Sequence, residues 1–183
     1  MLAAAVRRGL RTPLMVGDMP FGSYEASNEL AVANAQRLVK EAGCDAVKLE
    51  GGGTSVDRAK AIVDAGIPVM GHVGLTPQTA TALGGLKAQG RTADKAIKVA
   101  EDAIGLDQAG CFAIVIEAVP EAVSEMIVRK VEAPTIGIGA GTCGEQRGQF
   151  SFGVGREVVS VVGERDEGAA QIGGVTVASD QPA

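Results

Sequence analysis

The stretch Ala109-Gly110-Cys111-Phe112-Ala113-Ile114-Val115-Ile116-Glu117 decides the fold. A helix-like segment closes on Ala-Gly, an apolar run follows, and a carboxylate ends it. Gly just past a helix is the usual left-handed stop, and a buried run of four to eight residues reads as a parallel strand. The same pattern occurs twice upstream. Ala42-Gly43 leads through Cys44 to Lys48-Leu49-Glu50, and Ala65-Gly66 leads through Ile67-Pro68-Val69-Met70-Gly71 to His72. Polar side chains at the far ends of successive parallel strands mark the face on which α/β barrels keep their chemistry.

Working outward, Leu14–Val16 is a further strand that leaves through Gly17-Asp18. Ser27 is a plausible N-cap for a helix that places Ala31, Ala35, Leu38, Val39 and Ala42 on one face. Strand 45–50 is followed by Gly51-Gly52-Gly53, and Thr54 or Ser55 caps a helix to Ala65. Strand 67–71 precedes a long polar connection from Thr76 to Gln89, a length often associated with function. Thr92 opens a helix with Ala93, Ala96, Ile97, Ala100 and Ile104 toward the core. Strand 112–117, a helix from Pro120 to about Lys130, and strand 134–138 complete the series. The leading Met1–Gly9 has the look of the last turns of a helix. Five strands with four intervening helices make a parallel βα series. Beyond Thr142 the pattern dissolves, apart from a strand-like patch at Val158–Val162, and no linker marks a second domain.

The 183 residues suffice for one domain with a real core, although a complete (β/α)8 barrel typically takes about 250. At 46% apolar residues, disorder is not the default. A net charge of -5, no Trp and one Tyr argue against a nucleic-acid partner. No run approaches the length of a membrane span, and the start has its charges after its apolar part, the reverse of a secretory signal. Cys44, Cys111 and Cys143 form no CxxC pair. Cys44 and Cys111, at strand starts, read as small buried thiols, and few cysteines with no framework fit a reducing, cytoplasmic compartment.

Five residues carry candidate chemistry. Lys48 and Glu50 lie two apart on one strand and point to the same side. They are either a structural ion pair or an acid/base and metal-binding pair. Asp18 either caps its turn or offers a hard oxygen to Mg2+. Glu117, at the end of an apolar strand, is either a surface carboxylate or a partly desolvated general base with a raised pKa. His72, the single histidine, is either a satisfied structural residue or a supporting site residue. Gly137-Ile138-Gly139-Ala140-Gly141 fits close packing better than a phosphate loop.

Several segments together resemble the ketopantoate hydroxymethyltransferase family. They are Asp18-Met-Pro-Phe-Gly-Ser-Tyr24, Val47-Lys-Leu-Glu-Gly-Gly52, Pro68-Val-Met-Gly-His-Val-Gly-Leu-Thr-Pro-Gln78, Gly84-Gly85, Gln89-Gly-Arg91, Ile116-Glu-Ala-Val-Pro120 and Pro134-Thr-Ile-Gly-Ile-Gly-Ala-Gly141. The resemblance runs from Ala3 to Gly141. It implies a (β/α)8 TIM barrel of the phosphoenolpyruvate/pyruvate type and hydroxymethyl transfer to 3-methyl-2-oxobutanoate. It also implies Mg2+, 5,10-methylenetetrahydrofolate as co-substrate, and a homo-oligomer, usually a decamer. By resemblance Asp18 and Glu50 are metal-site carboxylates, Asp18, Lys48 and His72 contact the substrate, and Glu117 is the catalytic base.

The resemblance further implies two strands ahead of this chain's first residue. One of them ends in a Val-Gly-Asp-Ser segment that supplies another metal-site Asp and a substrate-binding Ser. Val16-Gly17-Asp18 belongs to the third strand instead. Past Gly141 the family continues into a helix, an eighth strand and a helical tail, which Thr142–Ala183 does not match. The expectation is a partial catalytic barrel over 1–141 and a divergent tail over 142–183. The alternative reading is an inactive fragment or a non-catalytic subunit of that enzyme.

Overall fold

The computed structural model describes residues 2–140 and the backbone of 150–151, 159–161 and 175–179. A short helix α1 (Leu2–Gly9) leads into β1 (Leu14–Asp18), α2 (Asn28–Ala42), β2 (Ala46–Lys48), α3 (Thr54–Asp64) and β3 (Val69–Gly74). Then come a single 3-10 turn (Pro77–Thr79), α4 (Ala93–Gln108), β4 (Ala113–Glu117), α5 (Glu121–Val128) and β5 (Thr135–Ile138). The strands β6 (Phe150–Ser151), β7 (Val159–Val161) and β8 (Val175–Ser179) complete the order.

Each of β1 to β5 pairs in parallel with its neighbour in sequence. The whole sheet runs β6-β5-β4-β3-β2-β1-β8-β7, with β8 parallel to β1 and β7 antiparallel to β8. The five-strand βα series is therefore the one the sequence predicts, a curled but incomplete barrel. The antiparallel β7–β8 pair departs from the all-parallel expectation. Two adjacent short strands do not require a crossover helix, so nothing forces them parallel.

The three Ala-Gly stops behave as expected. Gly43, Gly66 and Gly110 have φ of 75°, 87° and 91°. In each case the next amide turns back onto the helix: Cys44 N–H to Leu38 O, Ile67 N–H to Ile62 O and Cys111 N–H to Leu106 O. Ser27 caps α2 as predicted, its side chain accepting from the Leu30 amide. The α3 cap differs: Gly53 occupies it, and Thr54 already lies inside the helix. The Gly53 N–H is taken by the Asp102 carboxylate from α4 instead, so a tertiary contact replaces the local one. Pro120 likewise sits at the N-cap of α5 rather than in its first turn.

Alternation along the strands separates two apolar layers. Met15, Val47, Leu49, Val69, Val73, Ile114 and Ile116 join the helices in the larger core. Val16, Ala46, Met70, Ala113, Val115 and Ile136 form a second cluster on the opposite, inner face. On α4 the face is rotated from the expected one: Val99, Ala100, Ala103 and Leu106 are buried, whereas Ile97 is exposed. The helix settles with Leu106 against Gly71, where a Cβ would stand 2.8 Å from a Leu106 methyl. Leu106→Ala should cost about 2–5 kcal/mol in chemical denaturation, because it empties this contact.

Candidate active site

On β1 to β4 the inner-face position that is apolar at mid-sheet becomes polar one step further on, whereas on β5 Ile136 is followed by Ile138. Val16 gives way to Asp18, Ala46 to Lys48 and then Glu50, Met70 to His72, and Val115 to Glu117. The period of two puts these side chains above the inner cluster at the C-terminal ends of the strands. The pairing register then lays them out as a rising diagonal. Asp18 is opposite Lys48, Lys48 opposite Met70, and Glu117 opposite Gly74, one step above His72.

The diagonal is a continuous line of charge. Lys48 Nζ donates to Asp18 Oδ1 at 2.8 Å and lies 3.5 Å from Glu50 Oε1. Glu50 Oε1 is also 3.4 Å from His72 Nδ1, and His72 Nε2 is 3.2 Å from Glu117 Oε2. Lys48, Glu50 and His72 are all buried, whereas the Glu117 side chain keeps 21% of its surface. All five residues singled out from sequence are thus brought together. Neither imidazole nitrogen makes an aligned hydrogen bond, although each lies within 3.4 Å of a carboxylate oxygen.

Electrostatics follow from this placement. Burial of the Glu50 carboxyl opposes its ionisation, but His72, Lys48 and the Gln78 amide together outweigh burial and hold its pKa below the usual value. Burial of His72 opposes protonation, yet Glu117 and Glu50 outweigh it and raise the imidazole pKa. Two opposite linkages result. The stabilisation from Glu50 is complete above the ordinary carboxylate pKa and is lost as pH falls through its lowered one. That from His72 is complete below the ordinary imidazole pKa and is lost as pH rises through its raised one. His72→Asn should therefore flatten the alkaline arm of the stability–pH curve, read by urea denaturation at a series of pH values.

Two partners of Glu50 had no assigned role in the sequence. Tyr24 is buried, and its hydroxyl accepts from the Glu50 amide at 3.2 Å and donates to Gln78 Oε1 at 2.9 Å. Gln78 donates its backbone N–H to Glu50 Oε2 at 3.0 Å and its side-chain amide to Met19 O at 2.8 Å. The brace ties the β1 exit, the β2 end and the 3-10 turn into one unit. The available signals were the single Tyr in a turn-rich segment and the place of both residues at the ends of two segments that carry the family resemblance. Burial raises the Tyr24 pKa above that of a free phenol, so the hydroxyl stays protonated.

A second feature is visible only in the backbone. Ala118, directly after Glu117, has φ 49° and is the one non-glycine with positive φ among the described residues. This region costs an L-residue roughly 1–2 kcal/mol. Among the described residues no three acidic, histidine or cysteine side chains converge as a metal-binding group. Asp18 nonetheless keeps its second oxygen clear of the Lys48 contact. Cys44 and Cys111 are buried, and burial followed by Asp107 pushes the Cys111 thiol up to about 12, which suits the packing role. Cys143 and most of the 137–141 loop's continuation fall outside the described residues.

Comparison with known proteins gives the family. The family model described as ketopantoate hydroxymethyltransferase matches residues 1–150, slightly past the Gly141 limit read from the motifs. The 3-methyl-2-oxobutanoate hydroxymethyltransferase 1, mitochondrial, of Oryza sativa subsp. japonica is 56% identical over 138 residues, 75% of this chain and 38% of that protein. The 3-methyl-2-oxobutanoate hydroxymethyltransferase of Clostridium novyi (strain NT) is 56% identical over 137 residues, 75% of this chain and 50% of that protein. The chain therefore spans half or less of the length of these two relatives. Among solved structures, a putative phosphonomutase from Burkholderia cenocepacia J2315 has a TM-score of 0.53 at 14% identity, covering 74% of this chain and 57% of that one. That likeness speaks for the fold alone. With the family model spanning most of its length, the chain belongs to the ketopantoate hydroxymethyltransferase family.

Proposed function

We propose that residues 1–141 carry the proton-abstracting part of a site that transfers a hydroxymethyl group from 5,10-methylenetetrahydrofolate to 3-methyl-2-oxobutanoate. The observation that carries this reading is the Glu50–His72–Glu117 line, with Glu117 its most exposed member at the mouth. Glu117 takes the proton from C3, next to the keto group, and the electron pair of that C–H bond becomes the enolate. The enolate forms a bond to the folate-borne carbon as one of its two carbon–nitrogen bonds breaks; water then displaces the second nitrogen and supplies the hydroxyl oxygen of 2-dehydropantoate, and the C3 proton and one water proton end on the two folate nitrogens. Lys48 places positive charge near the developing oxyanion. His72, 3.2 Å from Glu117 Oε2, sets the direction of that carboxylate.

The donor chemistry of Asp18 and Glu50 fits Mg2+, which commonly takes one or two carboxylates plus substrate oxygens. Asp18 is the better placed, because Glu50 already shares its oxygens among Lys48, His72 and the Gln78 amide. When bound, the ion would polarise the keto oxygen of the substrate as a Lewis acid. The remaining parts of the proposal are a homo-oligomer, a decamer by resemblance, acting on small molecules with no nucleic-acid or membrane partner, and a cytoplasmic location. Among the described residues no helix is long and apolar enough to cross a membrane, and the buried thiols fit a reducing compartment.

The test is NMR-detected hydrogen–deuterium exchange at C3 of 3-methyl-2-oxobutanoate, without folate and with or without Mg2+. Mg2+-dependent exchange by the purified chain supports the reading. Exchange at the background rate under every condition makes the chain a non-catalytic fragment or subunit.

A further inference from the structure

We propose that Ala118 is a positioning residue: its left-handed backbone turns the chain at the end of β4 so that the Glu117 carboxylate faces the C3 proton. The inference rests on the reading of Glu117 as the base. Left-handed backbone at a non-glycine residue persists only where its surroundings hold it, and such residues concentrate at functional sites. Here the surroundings are explicit. The Ala118 N–H donates to Ile138 O at 2.8 Å, and Ala118 O accepts from the Gln89 N–H at 2.9 Å. The preceding carbonyl, Glu117 O, accepts from the Leu75 N–H at 2.8 Å.

Three separate segments thus grip two consecutive peptide groups. They are the end of β5, the start of the connection after β3, and the far end of that connection at Gln89. Gly74 completes the grip with φ 94°: a Cβ there would lie 2.2 Å from Glu117 O and 2.5 Å from a Val119 methyl. A β-branched residue at 118 resists this backbone, and the chain leaving Glu117 would then lose the bonds to Ile138 O and from Gln89 that hold the end of β4. The long connection is thus tied at both ends, through Leu75 to the carbonyl of Glu117 and through Gln89 to Ala118. The second bond gives the Gln89-Gly90-Arg91 end a task.

The experiment compares Ala118→Gly, Ala118→Val and Gln89→Pro in the C3 exchange assay, with circular dichroism as the check on folding. Glycine accepts positive φ without cost from a side chain, whereas valine does not. Ala118→Val should lower the saturating exchange rate by about 10- to 100-fold with KM for the 2-oxo acid unchanged, as misplacement of a reacting group does. Ala118→Gly should exchange at the wild-type rate. Gln89→Pro removes the loop N–H, and Gln89→Ala, which deletes only the side-chain bond to Lys87 O, controls for the rest of the side chain; the proline variant should lower the rate and the alanine variant should not, so the inference stands testable even where Ala118→Val misfolds. Wild-type exchange in the valine variant, or equal loss in the glycine and valine variants, overturns it. So does an unaffected rate in Gln89→Pro if the valine variant does not fold.

The 15N signals of His72, the single histidine, separate this inference from the function it rests on. They report the Glu117 contact without any turnover. If the wild type shows no exchange, the reading of Glu117 as base fails. Positioning then survives only if those signals move in the valine variant and stay in the glycine one.

Discussion

Glu117→Gln is expected to remove C3 exchange on 3-methyl-2-oxobutanoate, lowering its rate by about 10²- to 10⁴-fold, the usual contribution of a positioned base. Gln keeps the shape and the oxygen near His72 Nε2 but cannot take a proton. Glu117 retains a fifth of its side-chain surface, and among the described residues its one charged contact is to His72. The change removes one of the two carboxylates flanking buried His72, so urea denaturation should give a lowered midpoint, with circular dichroism as the check that the variant is folded. A variant that still exchanges at the wild-type rate would move the base elsewhere and leave Glu117 as the surface carboxylate that its sequence equally allowed.

Lys48→Met carries the largest expected effect on stability. Met preserves the stem and deletes only the ammonium. Asp18 then loses its 2.8 Å donor, and Glu50, almost fully buried, loses the cation 3.5 Å away. Removing one partner from a buried pair typically costs about 3–5 kcal/mol, because the other charge is left uncompensated. The double variant Lys48→Met, Glu50→Gln should recover part of that loss, which a single lost contact would not do. A single-variant loss below about 1 kcal/mol would show the pair to be as weak as an exposed one.

The parts of this molecule readable from sequence are those in which neighbours along the chain decide the outcome. Ala-Gly stops, the Ser27 cap and apolar runs are local, and they placed β1 to β5 and α2 to α5. The strand period then put Asp18, Lys48, Glu50, His72 and Glu117 at one end of one face. What escaped is tertiary. Asp102 caps Gly53 from 49 residues away, so Thr54 looked like the better cap. Ile97 fits the helical period, yet α4 rolls to seat Leu106 on Gly71, leaving Ile97 outside. Tyr24 and Gln78 lie 54 positions apart, and no spacing rule connects them. The backbone of Ala118 has no signature in its side chain at all.

The Tyr24 brace also gives the protein an optical property. With no Trp and one Tyr in the chain, all of its absorption near 280 nm comes from a ring whose hydroxyl is bonded to the Glu50 amide and to Gln78. The four Phe absorb at shorter wavelength, so the tyrosine band is a spectrum of the floor of the candidate site. Titrating 3-methyl-2-oxobutanoate or Mg2+ against that band would follow the site directly, with no label attached and no background from the rest of the fold.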